Sequence, residues 1–382
     1  MDRKYKTSLV LAALSCALMA CTSNTVKEDK TKPSALPKIE QSISLAPVFS
    51  QRVSSTKAAD PLRLRMSVDR GIYYLLDPKG SVLAYKGKQR LWERRVSKLG
   101  LSSGIEAANG LVIVGNKKGQ VFALGQASGQ VKWQAQLTGA VISPALIQSN
   151  RVVVVANDGT VFGLDEKTGQ TVWTYRMPVE QLSLRGQAAP VRLDARTVLV
   201  ASSNAYLYAI DSLTGNLRMQ RRVAVSDGRS DIQRLVDIDG EPAVAGQFVV
   251  TSSYQGQVTV LDLASQRVVW SEDASSITRP EVAGRQVFVS HTDGTLASYD
   301  LLTGKEIWRN SLLLYRQLSN PVILGRNLVV GDYAGVLHIV DPATGKLVGR
   351  EKSSGAVRSL RVIDNQLFAA TQSGALTIWQ NR

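Results

Sequence analysis

Asp158-Gly159-Thr160-Val161-Phe162-Gly163-Leu164-Asp165-Glu166-Lys167-Thr168-Gly169-Gln170-Thr171-Val172-Trp173 is the clearest copy of a phrase that recurs eight times along this 382-residue chain. A small residue opens it, an apolar run follows, then Asp, a turn, Gly, and four positions later Trp. Other copies run from Asp293 through Asp300 and Gly304 to Trp308, and from Gly119 through Gly129 to Trp133. The opening residues are Gly80, Gly119, Gly159, Ala205, Gly256, Gly294, Gly335 and Gly374, spaced 39, 40, 46, 51, 38, 41 and 39 apart. A period near 40 with strand-like content indicates a repeat array of the propeller kind.

Each repeat contains the parts of one blade. Val121-Phe122-Ala123-Leu124 and Val258-Thr259-Val260-Leu261 are apolar, β-rich runs of strand length. In the Asp-x-x-Thr-Gly element, Asp accepts from backbone amides two residues on and Gly supplies positive φ. Further apolar strands lie upstream of each opening residue, such as Arg151-Val152-Val153-Val154-Val155. About 40 residues thus hold roughly four short strands. The fold expected is all-β, an eight-bladed propeller of four-stranded antiparallel blades, with seven blades the nearest alternative.

Trp92, Trp133, Trp173, Trp270 and Trp308 recur at one repeat position, replaced by Met219 and Gly349 in two copies. Regular recurrence favours packing between blades, each indole N–H finding a backbone partner, over an aromatic ligand box. Trp379 falls on an inner strand and belongs to a different set. The last copy stops at Arg382 without room for a Trp-type strand. Pro47–Val53 has that character, with Phe49 at the Trp position, so the N-terminus is expected to close the ring and remove the free sheet edges.

Arg3, Lys4 and Lys6 precede an apolar stretch, Ser8 to Ala20, too short to span a bilayer. Residues 1–20 read as a signal peptide ending in the lipobox-like Leu18-Met19-Ala20-Cys21. Lipidation at Cys21 follows, and Thr22, which is not Asp, argues for the outer membrane by resemblance to bacterial lipoproteins. The other Cys, Cys16, lies within the signal peptide, leaving no disulfide. Residues 21–46 are polar and read as a flexible tether, and 47–382 as the propeller. The formal charge of +15 falls to +13 without residues 1–20, which leaves 43 basic and 30 acidic residues. On an exported protein such charge meets anionic lipid and acidic proteins rather than nucleic acid. The cluster Arg218, Arg221, Arg222, Arg229 and Arg234 reads as a solvated loop face.

Catalytic signals are scarce. His291 and His338 lie in different repeats, and no zinc, P-loop or nucleophile-elbow motif is present. Asp237-Ile238-Asp239-Gly240 lacks the remaining ligands of a calcium loop. No catalytic residue, metal or cofactor is assigned, and the chain is expected not to be an enzyme.

The repeat is stretched in two adjacent intervals, 46 and 51 residues long. Insertions in repeat proteins map to loops, often on the binding face. The first holds Leu182-Ser183-Leu184-Arg185-Gly186 before Pro190, and the second Arg234-Leu235-Val236-Asp237-Ile238-Asp239 before Pro242. Each combines Leu with charge, an apolar anchor in a polar rim.

The Asp-x-x-Thr-Gly-x-x-x-Trp repeats resemble the quinoprotein-type propeller. Lipobox, tether, eight repeats and the two loop motifs together resemble the BamB family, propeller lipoproteins of the machine that inserts β-barrel proteins into the outer membrane. The resemblance covers essentially the whole chain. It implies a non-enzymatic scaffold docked on the periplasmic domains of the central barrel protein, BamA, through Leu182, Leu184, Arg185, Asp237 and Asp239. It further implies assistance to outer-membrane protein folding and insertion, with unfolded client chains as potential partners. The Lys-rich tether, Met219, Gly349 and Ala205 depart from the repeat without touching the two loops. A quinone-dependent dehydrogenase-like propeller and a periplasmic glycan- or lipid-binding propeller are the alternatives.

Overall fold

The computed structural model describes residues 32–53, 66–178, 188–224, 238, 240–372 and 374–382. The chain divides between Lys32 and Pro33, and the unit from Pro33 to Arg382 is an eight-bladed all-β ring. Seven blades are four consecutive antiparallel strands, within residues 67–95, 106–136, 146–176, 191–222, 243–273, 281–310 and 322–352. We number these blades 1 to 7 and their strands first (innermost) to fourth (outermost). Blade 8 takes Val357–Ile363, Gln366–Thr371 and Ala375–Asn381 from the C-terminus and its fourth strand, Leu45–Arg52, from the N-terminus.

The closure matches the expectation in detail. Phe49 pairs with Ile378, just as Trp173 pairs with Gly163. Its ring is buried against Tyr73 and Tyr85 of blade 1, with centroids 5.8 Å away in each case. One hydrophobic cluster therefore spans the seam between the last blade and the first.

In blade 3 the second and third strands are buried almost throughout, whereas the fourth shows one buried side chain among exposed ones. That buried side chain is the repeat Trp. Its indole N–H donates to a carbonyl in the turn between the third and fourth strands of the next blade: Trp92 to Gln126, Trp133 to Glu166, Trp173 to Ser212, Trp270 to Leu301 and Trp308 to Pro342, at 2.7–3.0 Å, the last four in Asp-x-x-Thr-Gly turns. The turn's Gly lies flat on the ring. At Gly215, with φ of 78°, any Cβ would strike the Trp173 indole. In the turn of blade 3, Asp165 accepts from the Lys167 and Thr168 amides at 3.0 and 2.9 Å. Trp therefore latches five of the blades to the next, and the indole set is structural.

Blade 7 breaks the rule. A β-bulge sets the residue before the Trp position out of register in every blade of the set. In blade 7 that residue is Val348, and Gly349 occupies the Trp position opposite Ile339. The N-terminal chain fills the space. Ser42 and Ile43 amides donate to the Val348 carbonyl at 2.9 and 3.1 Å, and a Cβ on Gly349 would run into the Ile43 carbonyl oxygen. Leu36 and Ile39 cover the cluster between blades 6 and 7, and Ile43 that between blades 7 and 8. Residues 33–44, expected to belong to the flexible tether, are thus a strap laid on the ring. Their Pro, Ser, Lys and Glu content concealed it, although Leu36, Ile39 and Ile43 pack on the ring.

Candidate partner-binding face

In blades 1 to 7 the first strand runs to a tight turn, and the turn from third to fourth strand lies on that same side, so the Trp latches share one face. The chain leaves each fourth strand on the opposite face, beside the turn joining second and third strands. There Leu137 donates to the Gly119 carbonyl, Met177 to Gly159 and Val223 to Ala205. The connections between blades lie on this second face.

Blade 3 connects to blade 4 through residues 177–190, and blade 4 to blade 5 through residues 223–242. They lie in the two stretched intervals of the sequence, and their described ends leave adjacent blades on the same face. Leu182, Leu184, Arg185, Asp237 and Asp239 all lie outside the described residues, as does Cys21. The ends of the connections are described and firmly held. Met177 is 1% exposed, and the Pro178 carbonyl accepts from Asn204 at 2.8 Å. Ile238, between the two Asp residues in sequence, is also 1% exposed and belongs to the cluster joining blades 4 and 5. Gly240 lies against the Thr278 carbonyl too closely for a Cβ. Glu241 then pairs with Arg361 of blade 8 at 3.1 Å. Ile238 and Glu241 are anchors that the sequence reading missed. The apolar residue between two Asp residues was the available signal.

Arg218, Arg221 and Arg222 sit on the fourth strand of blade 4 rather than on a loop. Arg218 pairs with Asp211 at 2.5 Å, while Arg221 bonds the Gln266 carbonyl and side chain at 3.0 and 2.9 Å. Burial works against the Asp211 carboxylate, but Arg218, the Thr214 and Leu213 amides and Arg196 outweigh it and hold its pKa at about 2. Both histidines are internal. His291 meets the Tyr299 hydroxyl at 3.2 Å and His338 meets Asp332 at 3.0 Å, in separate blades. Burial lowers the pKa of each. Glu281 on the first strand of blade 6 is raised by burial, with Arg279 opposing the shift. Among the described residues no three His, Cys, Asp or Glu side chains converge in a way that could hold a metal ion.

Residues 78–310 match the family model described as "Outer membrane protein assembly factor BamB". The chain belongs to the BamB family. It is 30% identical to the BamB of Yersinia pestis over 389 residues, covering 98% of each chain. The crystal structure of BamB from Moraxella catarrhalis superimposes with a TM-score of 0.83 at 33% identity, over 88% of this chain and 100% of that one. A quinohemoprotein alcohol dehydrogenase from Comamonas testosteroni shares the fold alone, with a TM-score of 0.68 at 13% identity over 90% of this chain and 78% of that one. The quinoprotein-like repeat is thus a property of the architecture, and membership of the BamB family is what sets this chain apart within it.

Proposed function

We propose that this chain is a non-enzymatic scaffold of the outer-membrane β-barrel assembly machine, held at the membrane of a Gram-negative cell through a lipid on Cys21 and facing the periplasm. Its family supports the assembly role. The observation that carries the docking site is the pair of lengthened connections on one face of adjacent blades, with buried Met177 and Ile238 fixing their ends. A rigid ring presenting two neighbouring loops suits recognition of a protein surface better than catalysis.

On this reading Leu182 and Leu184 fill an apolar recess on the periplasmic domains of the central barrel protein, BamA. Arg185 makes a charge-assisted bond to an acidic group beside it, and Asp237 and Asp239 meet donors on the partner. An apolar anchor contributes about 2 kcal/mol and a buried, paired charge about 2–5 kcal/mol. Arg185→Glu combined with Leu184→Ala should therefore abolish co-purification of the barrel protein from detergent-solubilised envelopes while the melting temperature stays unchanged. Retained co-purification by the folded double variant rejects the site. In the same strains Cys21→Ser should take up no labelled fatty acid, and a wild-type chain without label rejects the anchor.

A further inference from the structure

Among the described residues, blade 7 differs from every other blade in what covers its outer edge. The bulge residue Val348 turns a carbonyl outward that the strap's Ser42 and Ile43 amides occupy. Gly349 opens the slot that Trp, Met219 or Phe49 fills elsewhere. At the far end of the slot, Arg350 Nη1 donates to the Pro37 carbonyl at 2.7 Å. Arg316 Nη1 donates to the Ser34 carbonyl at 2.9 Å, its Nε to Asp332 at 2.7 Å, and Asp332 in turn meets His338. The edge is thus built to hold an extended chain by its backbone, with Leu36, Ile39 and Ile43 directed into apolar ground.

The strap does not satisfy that edge completely. Arg350 Nε and Nη2 are buried yet have no acceptor among the described residues, and the buried His338 Nδ1 has no partner either. Nε and Nη2 form the side of a guanidinium that binds both oxygens of a carboxylate. Around this fork stand Arg316, Asp332 and His338, with one carboxylate between two guanidinium groups, so the local charge favours a further anion. The strap presents only carbonyl oxygens to these two arginines.

We propose that the edge of blade 7 is an acceptor site for an extended polypeptide segment bearing a carboxylate opposite Arg350, and that residues 33–44 hold it closed in cis as an imperfect stand-in. The site is independent of the docking connections, which belong to blades 3 to 5, so its failure and that of the docking proposal are separable. Strand addition to a sheet edge takes affinity from main-chain hydrogen bonds and specificity from the side-chain pockets. The covalently attached strap competes at an effective concentration far above that of a free peptide.

The probe is a synthetic peptide of residues 33–44, with a second in which Pro37→Glu supplies the carboxylate. Each is titrated by fluorescence anisotropy against the mature chain and against a chain lacking 33–44 but retaining Leu45–Arg52. The strap-deleted chain should bind both peptides, the Glu peptide more tightly, and the intact chain should bind about 100-fold more weakly. Arg350→Gln should remove the preference for the Glu peptide. Gly349→Trp with Ile339→Ala rebuilds the slot of the other blades and should abolish binding. Should the deletion not fold, Ile43→Asp in the full chain loosens the strap and carries the same titration. No binding by a folded strap-free chain, equal binding by the intact chain, or binding retained after Gly349→Trp overturns the proposal.

Discussion

At the scale of single residues, the repeat position that carries Trp explains both what the sequence discloses and what it hides. Five indoles at a fixed offset from Gly announced their latching role, because a side chain buried at every blade junction must recur with the period. Gly349 read only as a weakened copy. The structure shows that it is required, since the Ile43 carbonyl occupies the space where a Cβ would stand. Side-chain pattern alone did not disclose this, because Ser42 and Ile43 bond Val348 through their amides. Beside the slot, His338 is wholly buried, and its Nε2–H donates to Asp332. Burial lowers its pKa, Arg350 and Arg316 act in the same direction, and Asp332 opposes them. A His whose folded pKa lies below its unfolded value of about 6.5 destabilises the fold as pH drops, because the unfolded chain takes up the proton first. His291 carries the same sign. Melting temperature should therefore fall between about pH 7 and pH 5, each His contributing at most about 1.4 kcal/mol per pH unit. His338→Gln should flatten that slope over the same window, and an unchanged slope refutes the assignment.

Among elements, the N-terminal segment divides into three parts with different energetic weight. Residues up to Lys32 make no part of the propeller unit. The strap adds backbone bonds and packs Leu36, Ile39 and Ile43 against the clusters flanking blade 7. Leu45–Arg52 completes the last sheet, with Leu45 and Phe49 buried. Truncation should follow that order. Starting the soluble chain at Pro33 should leave the melting temperature where it was. Starting it at Leu45 should lower it by several degrees, since partly buried Leu and Ile side chains each contribute about 1–2 kcal/mol. Starting it at Val53 should expose the edge of Ala375–Asn381 and produce aggregation. Thermal melts with light scattering check all three, and equal melting of the Pro33 and Leu45 chains excludes a stabilising strap. The closing strand was legible from its likeness to the Trp-type strands. The strap was not, because Pro33, Pro37, Lys38 and Glu40 give it the composition of a linker.

Across the whole molecule, the two faces carry different parts of the chain, and the proposed docking site falls on only one of them. All five Trp latches close onto the turns between third and fourth strands on one face, while the connections between blades, including both lengthened ones, leave from the other. The sequence made the lengthened connections visible as departures from the period, and their place in adjacent repeats implied that they leave the ring side by side. That follows from strand order alone, because every link from a fourth strand to the next first strand leaves on the same side. Stability and recognition should then be separable by mutation. Trp133 is 7% exposed and latches blade 2 to the Glu166 carbonyl of blade 3. Trp133→Ala removes a large buried side chain at a cost of about 3–5 kcal/mol, which for a ring of this size is about 6 °C in melting temperature. Well below that temperature it should still co-purify with the barrel protein. Arg185→Glu should do the reverse, keeping the melt and losing the partner. Because a closed ring has no terminal blade, Trp270→Ala on the far side should cost about as much as Trp133→Ala. Loss of partner binding by a folded Trp133→Ala chain, measured at about 20 °C below its own midpoint, would show that latch and docking surface are coupled and that the division between faces is wrong.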